Sequence, residues 1–335
     1  MDALSDVLRV AHLTGGVFLH AEFFEPWCIA ARVSPEHCTP VLGPASHLII
    51  YHYVVEGEIH VRVDGDDGEG LTLRAGEVVL LPRNDLHLIG SDLRLPPVAG
   101  SDVIRPPKDG GLFSIHHGGA GARTRMVCGF LGSDSVEGNP VISTLPPLLK
   151  LNLEKGGAAE WIRSTFRYAA EEIAAGRPGS ETVLAKLSEL LFVETVRRYV
   201  EALPQSQTGW LAGLRDPYVA RALALLHRDI TRRWTVDDLG REVGLSRSAL
   251  ADRFIRLINV PPMHYLANWR MQVATQKLRN TSASLAQVAE SVGYDSEPAF
   301  SRAFKKTFGS APATWRRLHG RAESKSSVAG LSPVA

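Results

Sequence analysis

The chain has 335 residues, 44% of them hydrophobic and 22% charged, with a formal net charge of +1. That length predicts two or three domains with enough chain to bury real cores. No window approaches the roughly 18 consecutive apolar residues that a bilayer crossing needs, and three cysteines are too few for a disulfide framework or a spaced zinc motif.

The first residues, MDALSDVLRVAHLTGG, carry Asp2 and Asp6 where a secretory signal would be basic and then apolar. A cytoplasmic protein is expected, and scattered Cys28, Cys38 and Cys128 agree with a reducing compartment. Cys28 and Cys128 read as small buried hydrophobes or as redox-sensing thiols.

From His47 to Ile89 short β-rich runs follow one another: SHLIIYHYVV, IHVRV, LTLRA, EVVLLP and LHLIG. They are separated by Glu-Gly-Glu, by an Asp/Gly-rich run and by Arg-Asn-Asp, so hairpin after hairpin predicts a sandwich or barrel. His52, His87, His116 and His117 are candidates for a ligand pocket or a metal, because imidazole suits Zn, Fe and Cu; the plain alternative is a set of hydrogen-bonded wall residues.

Between Leu145 and Leu203 two helical stretches are expected, AAEWIRSTFRYAAEEIAA and TVLAKLSELLFVETVRRYVEAL, broken by Gly176-Arg177-Pro178-Gly179. In the second, Leu184, Leu187, Leu190, Leu191, Val193 and Val196 exceed what one exposed helix needs, so they pack on the barrel or form a dimer contact. Residues 204–214 read as a linker, and Ala322 to Ala335, rich in Ser, Gly and Ala, as a disordered tail.

Charge divides the chain. Residues 216–321 hold 17 Lys/Arg against 9 Asp/Glu, a net +8, which leaves −7 for the rest. A basic segment beside an acidic one points to a nucleic-acid module joined to something else.

Within the basic segment one pattern occurs twice. Val243-Gly244-Leu245 aligns with Val292-Gly293-Tyr294 at an offset of 49, while Leu250, Phe254 and Pro262 match Phe300, Phe304 and Pro312 at 50. One residue is inserted at the second turn. Val236, Leu239 and Val243, like Leu285, Val288 and Val292, are spaced for a helix with one buried face. Gly244 and Gly293 suit a left-handed helix end, and Ser246 and Ser296 suit the caps of second helices. Helix, glycine turn and capped helix is the helix-turn-helix pattern.

In the second helices the free face holds Arg247, Ser248, Ala251 and Asp252 in the first copy, and Ser296, Glu297, Pro298, Ser301 and Arg302 in the second. These are the candidate base readers, with Arg256, Lys305 and Lys306 as phosphate contacts. Between the copies, Pro261 to Arg279 reads as one helix of about 25 Å, able to hold two readers in neighbouring major grooves.

These residues resemble a known family. The stretch SLAQVAESVGYDSEPAFSRAFKKTFGSAPATWRR is similar to the second-unit signature of the AraC/XylS transcriptional regulators, with Gly293-Tyr294, Phe300 to Lys305, and Gly309-x-x-Pro312 at the family's positions. The resemblance spans about Asp216 to His319. Small Ser248 and Ala251 and acidic Asp252 depart from the long polar readers often found in that family's first unit. Gly76, Pro82, Asn84 and His87, Glu56-Gly57-Glu58, and HHGGAGARTRMVCGFL resemble the cupin-type sensor of one branch of these regulators, over Val7 to about Gly132. Metal-binding cupins carry two His and a Glu on the first-motif strand; here Ile50 stands near the Glu position, so neither a metal nor another cofactor is expected.

The expected architecture is therefore multidomain α+β: a cupin-like barrel over 1–140, a helical connector and linker over 141–214, an all-α bipartite helix-turn-helix domain over 215–321, and a tail over 322–335. The expected function is a sequence-specific transcriptional regulator that binds a double-stranded operator and responds to a small-molecule or redox signal of unknown identity. Resemblance implies a homodimer, with RNA polymerase as a partner if it activates. A metal-dependent cupin enzyme, or a constitutive binder whose barrel only dimerises, remains open at this level.

Overall fold

The computed structural model describes residues 2–11, 13–33, 47–106, 113–133, 139–152, 164–165, 168 and 179–320. The expected helix AAEWIRSTFRYAAEEIAA for the most part, Cys38 and the expected tail lie outside the described residues. The chain divides into two compact units, residues 1–221 with 253–259, and residues 222–252 with 260–335.

The first unit opens with helix α1 (Ala3–Ala11) and strands β1 (Thr14–Phe24) and β2 (Cys28–Ala31). Strands β3 (His47–Glu56), β4 (Glu58–Val63), β5 (Leu71–Arg74), β6 (Glu77–Leu81) and β7 (His87–Gly90) follow where the five β-rich runs predict them. Then come β8 (Val98–Ala99), α2 (Gly100–Val103), β9 (Ile104–Arg105), β10 (Phe113–Gly118), β11 (Arg123–Ser133), α3 (Pro140–Thr144) and β12 (Leu149–Asn152).

They form a seven-stranded sheet in the order β12-β6-β3-β11-β1-β10-β9 and a five-stranded sheet in the order β5-β4-β7-β2-β8. The expected run of hairpins is therefore only partly present. β4 pairs with β5, but β3 and β4 belong to different sheets, as do β5 and β6, and β6 and β7. Glu56-Gly57-Glu58 is a corner between sheets instead of a hairpin turn. The seven-stranded sheet also takes in β12, beyond the boundary expected at residue 140.

Strand β3 explains how the core is built. Leu48, Ile50 and Val54 join the interior cluster with Phe23, Trp27, Ile29, Ile59, Val61, Leu73, Val79, Leu81, Ile89, Met126 and Cys128. The intervening Ile49, Tyr51 and Tyr53 are buried too, which is why the strand reads as an unbroken apolar run. Their side is covered by helix α4 (Ser180–Ala202), whose Ser188 hydroxyl lies 3.1 Å from that of Tyr51.

Leu184, Leu191 and Val196 of α4 are buried with Phe192, which is the barrel-packing alternative for those residues. Leu190 is 49% exposed and Val183 36%. The segment expected as a linker contains helix α5 (Trp210–Gly213), all four of its residues buried. Gly209 N–H donates to the carbonyl of Leu257, at 2.7 Å, and Arg253 Nε donates to Asp216.

Helices α6 (Pro217–Arg228), α7 (Val236–Val243), α8 (Arg247–Ile258), α9 (Pro262–Asn280), α10 (Leu285–Ser291), α11 (Glu297–Phe308) and α12 (Pro312–His319) are the last of the described elements. Of these, residues 222–252 and 260–320 make up the described second unit. Its core joins Met271, Ala274 and Leu278 of α9 to Val288 and Ala289 of α10, Val292, and Phe300 and Phe304 of α11, with Trp315 of α12 packed alongside. At 19 residues, α9 is about 28 Å long.

Replacing Phe300, fully buried in this cluster, by Ala should destabilise the second unit by about 3–5 kcal/mol. Urea unfolding followed by helical circular dichroism checks this; an unmoved helical transition contradicts the packing described.

Candidate nucleic-acid interface and buried histidine pair

Each copy of the repeat is set by a short chemical grammar. Thr235 caps α7 with a reciprocal bond to Asp238, and Ser284 caps α10 in the same way with Gln287. The helices end at Gly244 (φ 81°) and just before Gly293 (φ 81°). Ser246 then accepts from Ala249 N at 3.3 Å to start α8, and Ser296 accepts from Ala299 N at 3.4 Å to start α11. The second turn carries the extra residue that the offset of the repeat predicts.

Burial fixes the exposed face. Leu250 and Phe254 in α8, and Phe300 and Phe304 in α11, are wholly buried. Arg247, Ser248, Asp252 and Arg256 are exposed on α8, with Ala251 half-buried. On α11, Glu297, Pro298, Arg302, Lys305 and Lys306 are exposed, Ser301 is half-buried, and capping Ser296 is exposed.

The two faces differ electrostatically. Arg247 Nη1 lies 3.6 Å from Asp237 of α7, and Asp252 adds a negative charge on the same helix. Arg302, Lys305 and Lys306 have no ion-pair or hydrogen-bond partner among the described residues. Their donors are free for phosphate oxygens and guanine edges.

In the first unit, β-register brings His52 of β3 opposite Cys128 of β11. His52 Nδ1 lies 2.9 Å from Cys128 Sγ, His52 Nε2 lies 3.0 Å from His87 Nε2, and His87 Nδ1 lies 2.9 Å from the carbonyl of Asp85. The carbonyl can only accept, so His87 Nδ1 carries the hydrogen and, in a neutral ring, Nε2 is bare. His52 Nε2 must then donate to it, leaving His52 Nδ1 to accept from the thiol. One run of donors therefore leads from Cys128 through both rings to the backbone.

Burial keeps this run neutral. Desolvation holds His52 well below its ordinary 6.5, with His87 adding to the depression, and lowers His87 against the opposing pull of Asp85. The Cys128 thiol is pushed up to about 12 by burial. It is a protonated donor, not a thiolate.

The third expected histidine is elsewhere. His116 is exposed on β10, with Nδ1 3.2 Å from Glu22. It belongs to a cross-strand row of charges in which Arg125 and Arg123 both meet Glu56. His117 is half-buried beside it in sequence. Sequence reading left Cys128 out of the histidine site; only strand register, which alternation along one strand does not give, sets it opposite His52.

A cupin-type metal does not fit these residues. His52 spends both ring nitrogens on Cys128 and His87, and buried Ile50 stands where the first motif would supply a carboxylate. Among the described residues no group of three or more His, Cys, Asp or Glu is arranged to hold a metal ion. No described helix is long and apolar enough to cross a membrane.

A family model described as cupin matches residues 2–201, and one described as a helix-turn-helix domain matches residues 239–318. A Streptomyces lividans protein named as an AraC-like transcription regulator is 34% identical over 82% of this chain and 88% of its own length. The HTH-type transcriptional regulator AlkR of Acinetobacter baylyi is 28% identical over 95% of this chain and 99% of its own. A solved AraC-type regulator from Chromobacterium violaceum is 29% identical over 33% of this chain and 97% of its own, with a TM-score of 0.31.

The buried imidazoles make the first unit acid-sensitive. With native values depressed below 6.5, the unfolded chain binds more protons, so stability held above about pH 6.5 is lost as pH falls toward the native values. Thermal melts between about pH 7.5 and 5.5 should show a smaller acid-induced drop for His52→Gln than for the unaltered chain. Equal drops contradict a buried neutral pair.

Proposed function

The chain belongs to the AraC-like transcription regulators, with a cupin domain ahead of its helix-turn-helix domain, and from that premise we propose a division of labour between its parts. It is a DNA-binding transcriptional regulator. α11 is the sharper base reader, α8 contributes mainly attachment, and the barrel senses the signal.

The observation that carries this reading is the contrast between the exposed faces. Arg302 stands mid-helix with its fork unoccupied, suited to paired hydrogen bonds with the O6 and N7 of guanine, and Glu297 can accept from a cytosine amine. Lys305 and Lys306 lie on the last turns of the same helix, where they can neutralise phosphates. On α8, Ser248 and Ala251 are too short for paired contacts, Arg247 faces Asp237, and Asp252 is repelled by phosphate unless it reaches a cytosine amine. Arg256 remains as a phosphate contact.

The signal reaches the barrel at His52, His87 and Cys128. A neutral donor run enclosed by apolar side chains has one self-consistent arrangement, so a ligand that engages any member obliges the others to rearrange. The effector is a small molecule, since a buried protonated thiol at Cys128 is a poor target for a redox agent. Val183, Leu187 and Leu190, spaced to share one face of α4, support a homodimer contact. RNA polymerase is a partner if the protein activates, and the cytoplasm is its place.

The test uses operator DNA selected from a random library by the full-length protein, then varied one base pair at a time. Arg302→Ala should lose about 1–3 kcal/mol of discrimination at one position. Lys305→Ala should weaken every variant alike and reduce the slope of log affinity on log salt by about 0.9. If Arg302→Ala also weakens every variant by the same factor, it is a phosphate clamp and α11 is not the sharper reader.

A further inference from the structure

A single helix between two reading units fixes their distance but leaves each free to swivel about its end. The second unit contains a cross-link that removes this freedom. Arg270, mid-way along α9, donates from Nε to the carbonyl of Ile230 at 2.8 Å and from Nη2 to the carbonyl of Arg232 at 3.0 Å. Both carbonyls belong to the loop that leads into α7.

That loop is cross-braced by its own contacts and tied to the first helix-turn-helix. Trp234 Nε1 donates to the carbonyl of Asp229 at 3.0 Å, and Asp229 accepts from Arg232 N at 3.2 Å. The Arg232 guanidinium lies 3.8 Å over the Trp234 ring and 3.5 Å from Glu242 of α7.

The other side of Arg270 is the turn of the second helix-turn-helix. A Cβ on Gly293 would lie 2.8 Å from Arg270 Nη2 and 2.9 Å from Thr231 Cα, so the loop, the arginine and the turn meet at a point where only glycine fits. One residue on, Tyr294 N–H donates back to Ala289 in α10, and Asp295 pairs with Arg233 across the same junction. That ion pair is exposed and contributes little; the half-buried guanidinium with two carbonyl acceptors is the stronger tie. Lysine offers a point charge instead of a planar fork and cannot reproduce both bonds in this geometry.

We infer that Arg270 is a positioning residue that locks the two helix-turn-helix units into one orientation, and so sets which separation between the two halves of an operator the protein accepts. The inference rests on the proposal that α8 and α11 face DNA. Because one added base pair turns the second half by roughly 35° about the duplex axis, a locked pair of readers should reject a shift that a swivelling pair would follow.

The experiment measures full-length protein on its selected operator, and on the same DNA with one or two base pairs inserted between the halves. Unaltered protein should lose about tenfold in affinity on the first insertion, as expected when the one base contact open to α8, Asp252 with a cytosine amine, is forfeited. For Arg270→Ala the loss should shrink to about threefold or less, with Arg270→Lys between the two, while single-base discrimination within each half is retained. A spacing penalty for Arg270→Ala within twofold of the unaltered protein's overturns the inference, as does an unaltered protein indifferent to the insertion. If Arg270→Ala does not fold by circular dichroism, Arg270→Lys carries the test, and an unchanged penalty there is equally fatal. A penalty that collapses in the Arg270 variants while Arg302→Ala leaves base discrimination untouched would preserve the lock and remove the assignment of α11.

Discussion

A twelve-residue helix that buries two aromatic rings four positions apart has no freedom over the face it shows. Phe300 and Phe304 are fully buried in α11, and that single constraint turns Arg302, Lys305 and Lys306 outward together, while Glu297 is exposed at the helix start. Leu250 and Phe254 do the same for α8. Reading chemistry is thus a by-product of core packing: the apolar side chains decide where the polar ones point, and the caps at Ser246 and Ser296 decide where each helix begins. What distinguishes the copies is what stands on the released face: Arg302, Lys305 and Lys306 in one, and short Ser248 and Ala251, acid-paired Arg247, acidic Asp252 and a single Arg256 in the other.

The first unit applies the opposite rule, with polar groups enclosed instead of released. Its donor run from Cys128 through His52 and His87 to the Asp85 carbonyl is satisfied without charge, which is how two imidazoles are accommodated in an apolar interior. Neutrality has a consequence for chemistry. A thiol pushed up to about 12 is a weak nucleophile, and rings bonded to each other do not converge on a metal. Of the residues that make the barrel cupin-like in sequence, His87 and Cys128 are here joined through His52 in a hydrogen-bonded strut across its interior.

Legibility followed the range of the interactions. Helical period, glycine ends and serine caps act over four or five residues, so both helix-turn-helix units and α9 could be read directly. Strands β3 to β7 were equally readable from local runs. Pairing was not: alternation along β3 says which side chains share a face, but not that β11 lies beside it, nor that Gly57 turns a corner between sheets. That is why His116 could be grouped with His52 and His87 although it stands outside on β10 with Glu22, and why Cys128 was left out. Trp210 was hidden for another reason. Four residues of α5 are too short to show a period, and only burial reveals that the supposed linker is packed. Arg270 looked like one more base in a basic segment, because its acceptors are backbone carbonyls some 40 positions away.

The unequal weight of the two readers is the central claim, and dimethyl sulfate interference addresses it most directly. Methylating guanine N7 blocks the acceptor that Arg302 would engage in the major groove. On the selected operator, binding by full-length protein should be blocked by methylation at one guanine in one half, that block should vanish for Arg302→Ala, and the other half should respond chiefly to phosphate ethylation. Equal N7 interference in both halves, or interference that persists in Arg302→Ala, would contradict the account.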